Sequence, residues 1–160
     1  MDGWQNFFLG ELGASAALTG LIFVGISINL GKIMKSSYLP NRALEALVML
    51  VIVIFLTSLL LIPGQSTTAV GLEVLLLGCC DWGITLYLQI DSLRKMNAEY
   101  RLAYARVILV SQIAALSFIV AGIIFLTGAT TGFYLIVAAT LFSFLSAFID
   151  TWVLVVEINR

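Results

Sequence analysis

Five long apolar runs organise the chain, and the polar residues fall mainly between them. The runs cover about 11–31, 43–62, 70–90, 105–126 and 133–156. A bilayer-crossing helix needs roughly 20 apolar residues, so each run predicts one span. Pro63-Gly64 closes the second run and Gly128 the fourth, as expected for residues that cannot continue a helix. Pro40-Asn41 opens the second, with Glu45 placed to meet the positive end of its dipole and Arg42 as its i,i+3 neighbour. Thr68 and Thr131 are the expected N-caps of the third and fifth helices. Asn97 is the expected cap of a fourth helix that runs through Glu99, Tyr100, Arg101 and Tyr104, about two turns beyond its apolar part. The expected fold class is therefore all-α, one polytopic membrane helix bundle of five transmembrane helices over residues 1–160.

The connections alternate in charge. Residues 32–42 carry Lys32, Lys35 and Arg42, and residues 91–104 carry Arg94, Lys95 and Arg101, with Arg106 just beyond. Residues 63–69 and 127–132 carry no charge, and the tail ends in Arg160. With five spans all eight Lys and Arg fall on one side. The positive-inside rule then predicts the N-terminus outside and the C-terminus inside. Four spans plus a re-entrant run would put basic residues on both sides, so five is preferred. No Lys or Arg precedes the first apolar run, so the N-terminus is expected to be retained rather than cleaved as a signal peptide. Trp4, Phe7 and Phe8 stand at helical spacing as an expected interfacial anchor.

The first run holds a stripe of small residues. Gly10, Gly13, Ala17, Gly20, Ser27 and Gly31, with Val24 in the one gap, step by 3 and 4 and fall on one helix face. In lipid such a stripe lets another backbone approach closely, so it predicts a helix-packing or oligomer interface. The second and third spans form one hairpin, the fourth and fifth another. Each has an acid closely followed by Trp, Asp81-Trp82 and Asp150-Thr151-Trp152, and Gln89-Ile90-Asp91 resembles Glu157-Ile158-Asn159. Such pairs of hairpins occur as parallel repeats in transporters.

Composition agrees with a membrane environment. The chain is 61% hydrophobic and has only eight Lys and Arg and nine Asp and Glu, with a mean hydropathy of +1.10. A soluble domain of this length could not cover itself with so few charges. There is no His, which removes the commonest metal and haem ligand and the commonest general base. The adjacent Cys79-Cys80 pair lacks redox or metal spacing and reads as packing.

Few residues are left to carry chemistry. Asp81 lies near the midplane of the third span, where an acid costs roughly 2.5–3.5 kcal/mol on insertion scales. A donor, a water-filled cavity or a bound proton must offset that cost. It reads either as a proton or cation site or as a packing hydrogen bond. Asp150 and Gln112 lie at similar depth on antiparallel helices and are expected to hydrogen-bond each other. Glu73 is within a turn of the outer face, as a headgroup or solvent contact. Asn29 and Ser27 end the small-residue stripe and either line a pathway or bond to a neighbouring helix. The basic residues of loop 91–106 set topology and meet anionic lipid, or receive a protein partner. No nucleophile–base pair, phosphate-cradling loop or zinc spacing is present. An enzyme is not expected, nor a cofactor, a metal site or a nucleic-acid partner.

The runs FFLGELGASAALTGLIFVGISINLGKI, LPNRALEAL and IPGQSTTAVGLEVLLLG resemble small uncharacterised bacterial membrane proteins of similar length, over about the first half of the chain. The resemblance implies a multi-pass protein of the bacterial inner (plasma) membrane. The function expected is an oligomeric membrane channel or channel-like transporter for protons, cations or a small solute. Its pathway is expected between identical subunits, because five short spans enclose little space. The alternative is a non-transporting membrane subunit that binds or regulates a partner protein.

Overall fold

The computed structural model describes residues 3–158, and within the helices it leaves out the side chains of Ala98, Glu99, Tyr100, Ala103 and Ile158. Arg160, expected on the basic side, and Asn159 lie outside the described residues. Five helices make up the structure: α1 Gln5–Ile33, α2 Leu39–Leu60, α3 Thr67–Lys95, α4 Ala98–Leu126 and α5 Gly132–Ile158. Each is long and apolar enough to cross a membrane. At 1.5 Å per residue, 22 to 29 residues extend roughly 33–44 Å, more than the roughly 30 Å of hydrocarbon.

The helices overrun the apolar runs because polar residues continue them. The first starts at Gln5 instead of near 11, so Phe7 and Phe8 belong to its first turn and Trp4 is its N-cap residue. Phe8 is buried, and Trp4 stacks on Phe133 of α5 with ring centroids 5.4 Å apart. The expected interfacial anchor is thus also an aromatic clamp between α1 and α5. The third helix is capped by Ser66, whose Oγ accepts from the Ala69 N–H at 3.2 Å, in place of Thr68. Asn97 holds the N-cap position of α4 in an extended conformation. Loop 91–106 shrinks to Met96 and Asn97, because 91–95 finish α3 and 98–106 begin α4. The surface expected to receive a partner is therefore two helix ends joined by a tight link, and Met96 is buried. Gly64 and Gly128 turn the two uncharged connections with φ of 75° and 84°, a left-handed conformation that glycine adopts without steric penalty.

Contacts between helices define a ring. The second helix packs on α3 and α5, and α4 packs on α3 and α5. The backbones of the diagonal pairs α2–α4 and α3–α5 stay apart among the described residues, and α2 and α4 meet only through long side chains. The first helix lies outside the ring, against α2 and, more lightly, α5. The two hairpins, α2–α3 and α4–α5, therefore close on one another, and α1 is the odd helix out.

The α3 and α4 backbones approach closely. A Cβ placed on Gly122 would stand 2.7 Å from the Leu75 nitrogen, and one on Gly71 would stand 2.9 Å from the Leu126 nitrogen. Small residues let these two backbones touch, the usual device of helix packing in lipid. The stripe on α1 does not work this way within the subunit. Gly10, Gly13, Ala17, Gly20, Ser27 and Gly31 are all exposed, and a Cβ on Gly10, Gly13, Gly20 or Gly31 would meet nothing within 4 Å. The buried face of α1 is instead Phe8, Ser15, Ile22 and Ile33.

The two ends of the bundle differ. The uncharged turns lie at one end, here the neutral end. Lys32, Lys35, Arg42, Arg94, Lys95, Arg101 and Arg106 lie towards the other, the basic end. Towards the neutral end the ring core is apolar, built from Val53, Leu56, Leu60, Val70, Val74, Phe118, Phe125, Phe133 and Ile136. Towards the basic end it is polar.

Candidate functional site

Two buried polar stripes line the ring. On α3 they are Asp81, Thr85, Gln89 and Ser92, and on α5 Thr140, Ser143, Ser146 and Asp150; all are at most 1% exposed. Steps of three and four place each set on one helix face. Each stripe continues the face that is apolar nearer the neutral end. Asp81 follows Val74 by two turns, and Ser143 follows Ile136 by two turns, both within the core.

At the basic end the polar side chains knit the ring together. Arg42 of α2 donates through Nε at 2.9 Å, and also through Nη2, to Oδ1 of Asp150 on α5. Its guanidinium carbon lies 4.6 Å from the centre of the Tyr104 ring on α4, within cation–π range. Tyr104 donates its hydroxyl to Glu45 Oε2 at 3.0 Å. Glu45 Oε1 accepts from Gln89 Nε2 of α3. Gln89 Nε2 also donates to Ser111 Oγ of α4 at 2.6 Å, and Gln89 Oε1 accepts from Gln112 Nε2 at 2.8 Å. Gln112 in turn accepts from the Trp82 indole at 2.8 Å. Buried charges need such company, because each polar group left without a partner costs about 1–3 kcal/mol.

The expected Gln112–Asp150 bond is not formed. Asp150 turns towards α2 and takes Arg42, while Gln112 turns towards α3 and takes Gln89. The guanidinium is the stronger partner for a buried carboxylate. Arg42, expected to set topology, and Glu45, expected to meet the helix dipole, are both buried and belong to this network. The signal that would have revealed the network is the helical spacing of polar residues inside apolar runs, at 81, 85, 89 and 92 and at 140, 143, 146 and 150.

Asp81 differs from every other acid in the core. It is the central residue of the 29-residue α3 and is 0% exposed. Neither of its carboxyl oxygens has a hydrogen-bond partner among the described residues. At its level the ring is closed by Val53 and Met49 of α2 and by Ala114 and Ala115 of α4, each 0% exposed. Ser143 and Ser146 stand at the same depth on the opposite helix, by the rise from the neutral ends of α3 and α5. Their hydroxyls also lack partners.

Comparison with known protein families, with curated proteins and with solved structures finds no match to this chain. What the site can do rests on its own chemistry. Among the described residues no three His, Cys, Asp or Glu converge on a point where a metal ion could bind.

The remaining candidates sit elsewhere. Glu73 accepts from Gln65 Nε2 with both oxygens at 3.0 Å, which clamps the α2–α3 turn. Asn29 bonds to its own helix, at the Gly25 carbonyl, 3.0 Å away. It borders an apolar groove of about 240 Å³ between α1 and α5. Asp81, Asp150 and Gln112 are thus gathered in and around one subunit's ring, with Glu73 and Asn29 outside it. Sequence reasoning missed Arg42, Glu45, Gln89, Tyr104, Ser143 and Ser146 as members of the interior.

Proposed function

We propose that the protein is a channel-like transporter of the bacterial inner membrane that carries protons or small cations. The observation that carries this reading is Asp81, a fully buried carboxyl at the centre of α3 with no partner for either oxygen. A polar group that only fixes packing is normally paired, and intramembrane acids are expensive enough to need a reason. The path is drawn through the ring of one subunit, because Asp81, Ser143, Ser146 and the Glu45–Gln89 network face its interior. The basic end is assigned to the cytosol by the positive-inside rule. Association of subunits is assigned to the exposed small face of α1.

The test is flux. The purified protein in sealed vesicles with a trapped pH dye conducts under a membrane potential, and Asp81→Asn does not. Native mass measurement in detergent reports the subunit number, and a monomer counts against association.

The second reading is a non-transporting membrane subunit that holds a partner helix against α1. The same exposed small face supports it, as does the apolar, aromatic-rich core of the ring at the neutral end. Absence of flux across a range of pH, with cellular function intact in Asp81→Asn, selects this reading.

A further inference from the structure

We propose that the groove between α1 and α5 holds one acyl chain of an anionic phospholipid, whose phosphate rests on Lys32 and Lys35 at the basic end. The site lies outside the ring, so it stands whether or not the ring conducts.

The groove encloses about 240 Å³. Ile22, Leu50 and Ala147 form its floor and are buried, while Leu21 and Phe148 on its lips are exposed. Its polar residues are Asn29 and Thr151. Both donate to their own helices, Asn29 Nδ2 to the Gly25 carbonyl at 3.0 Å and Thr151 Oγ1 to the Ala147 carbonyl at 2.7 Å. No charged side chain lines the groove among the described residues. Such a lining suits hydrocarbon and gives a polar solute little to bind.

Length decides between an acyl chain and a protein helix. The groove runs from Leu18 to Ile33 on α1 and from Phe144 to Val155 on α5, roughly 22 Å and 17 Å at 1.5 Å per residue. Both helices start at the neutral end, where Trp4 stacks on Phe133 and closes the seam. The groove therefore reaches from the middle of the two helices to the basic end. That is one leaflet of a hydrocarbon layer roughly 30 Å thick. A spanning partner helix would need a face along both leaflets. An unfilled gap forfeits dispersion contacts, which a flexible chain restores.

The charge at the open end selects the headgroup. Lys32 follows Asn29 by three residues and Gly25 by seven, so it continues the groove's own face of α1. Lys35 is held beside it by a turn in which its N–H donates to the Lys32 carbonyl at 3.2 Å. Both lysines are exposed. The acids of α5 face elsewhere. Asp150 takes Arg42, and Glu157 borders a separate pocket with Arg42 and Tyr104. Basic residues beside a cleft between helices are suited to an anionic headgroup.

The experiment is native mass measurement of the full chain, released from detergent after equilibration with equal amounts of phosphatidylglycerol and phosphatidylcholine. One phosphatidylglycerol per subunit is expected to stay bound, with a preference of roughly thirtyfold, from about fivefold per lysine. Lys32→Ala combined with Lys35→Ala removes the preference. Arg106→Ala, exposed on α4 towards the same end, keeps it. Gly25→Leu removes the lipid itself. A Cβ on Gly25 would meet nothing within 4 Å, so the new side chain fills the groove, and an unchanged circular dichroism spectrum checks that the fold is kept. No bound lipid, equal retention of the two lipids, a preference that survives loss of both lysines, or lipid retained in Gly25→Leu overturns the proposal. So does a wild-type dimer that carries no lipid and dissociates in Gly25→Leu, which would put a second subunit in the groove.

Discussion

Arg42 and Asp150, 108 residues apart in the chain, form a buried ion pair that ties α2 to α5. With the α3–α4 contact opposite, it closes the ring. Removing one partner leaves the other as an uncompensated charge in a medium of low dielectric. Arg42→Ala or Asp150→Ala is expected to cost about 3–5 kcal/mol of stability. Replacing both by Met and Leu is expected to cost much less. Unfolding in mixed micelles, run as a double-mutant cycle, measures both.

The Trp82–Gln112 bond lies at the lipid-facing rim of the network and is worth less. Coupling of about 0.6 kcal/mol is expected between Trp82→Phe and Gln112→Leu, the average for polar pairs between membrane helices. Because Gln112 and Asp150 do not touch, Gln112→Leu and Asp150→Asn are expected to add. Non-additivity between those two would revive the direct bond expected from sequence.

Asp81 gives the sharpest contrast between packing and function. A side chain held for packing loses a hydrogen bond when removed. Asp81 has none to lose. Asp81→Leu, similar in shape, is therefore expected to stabilise the bundle by about 1–3 kcal/mol, the cost of a buried polar group without a partner. A drop in melting temperature would show that its oxygens are satisfied.

Glycines separate into two kinds. At Gly122 a Cβ would sit 2.8 Å from the Leu75 Cα, so Gly122→Ala is expected to destabilise by about 1–3 kcal/mol through overpacking. Gly20 meets nothing, so Gly20→Ala is expected to stay within about 0.5 kcal/mol. Gly20→Leu is expected to leave the monomer folded while lowering the subunit number seen by native mass measurement.

The Glu45 carboxyl depends on two neutral donors, Tyr104 and Gln89. Tyr104→Phe removes one and keeps the ring over which Arg42 stacks. A loss of about 1.5–3 kcal/mol is expected, the range for hydrogen bonds to charged groups, measured against Tyr87→Phe, an exposed tyrosine on the outer surface.

Much of this protein is written locally. Five apolar runs of bilayer length, bounded by Pro63-Gly64, Gly128 and Asn97, determine five helices, and the alternation of charged and neutral connections separates a basic end from a neutral one. These are properties of contiguous residues, where the transfer of apolar surface and the need to satisfy the backbone act on each run separately. Asp81 was also visible, since an acid amid apolar residues is conspicuous anywhere. Which groups meet was not visible. Arg42 looked like a topology signal because a charge near the end of a span normally reaches water. It turns inward only because the ring brings Asp150 beside it. The small-residue stripe of α1 told of close packing but not of its partner. The tertiary structure put that packing on Gly71 and Gly122 instead and left the α1 stripe outside. Periodicity states which residues share a helix face, but the direction of that face depends on the order of helices around the ring. That order is a balance of contacts between distant segments, so only the folded structure decides it.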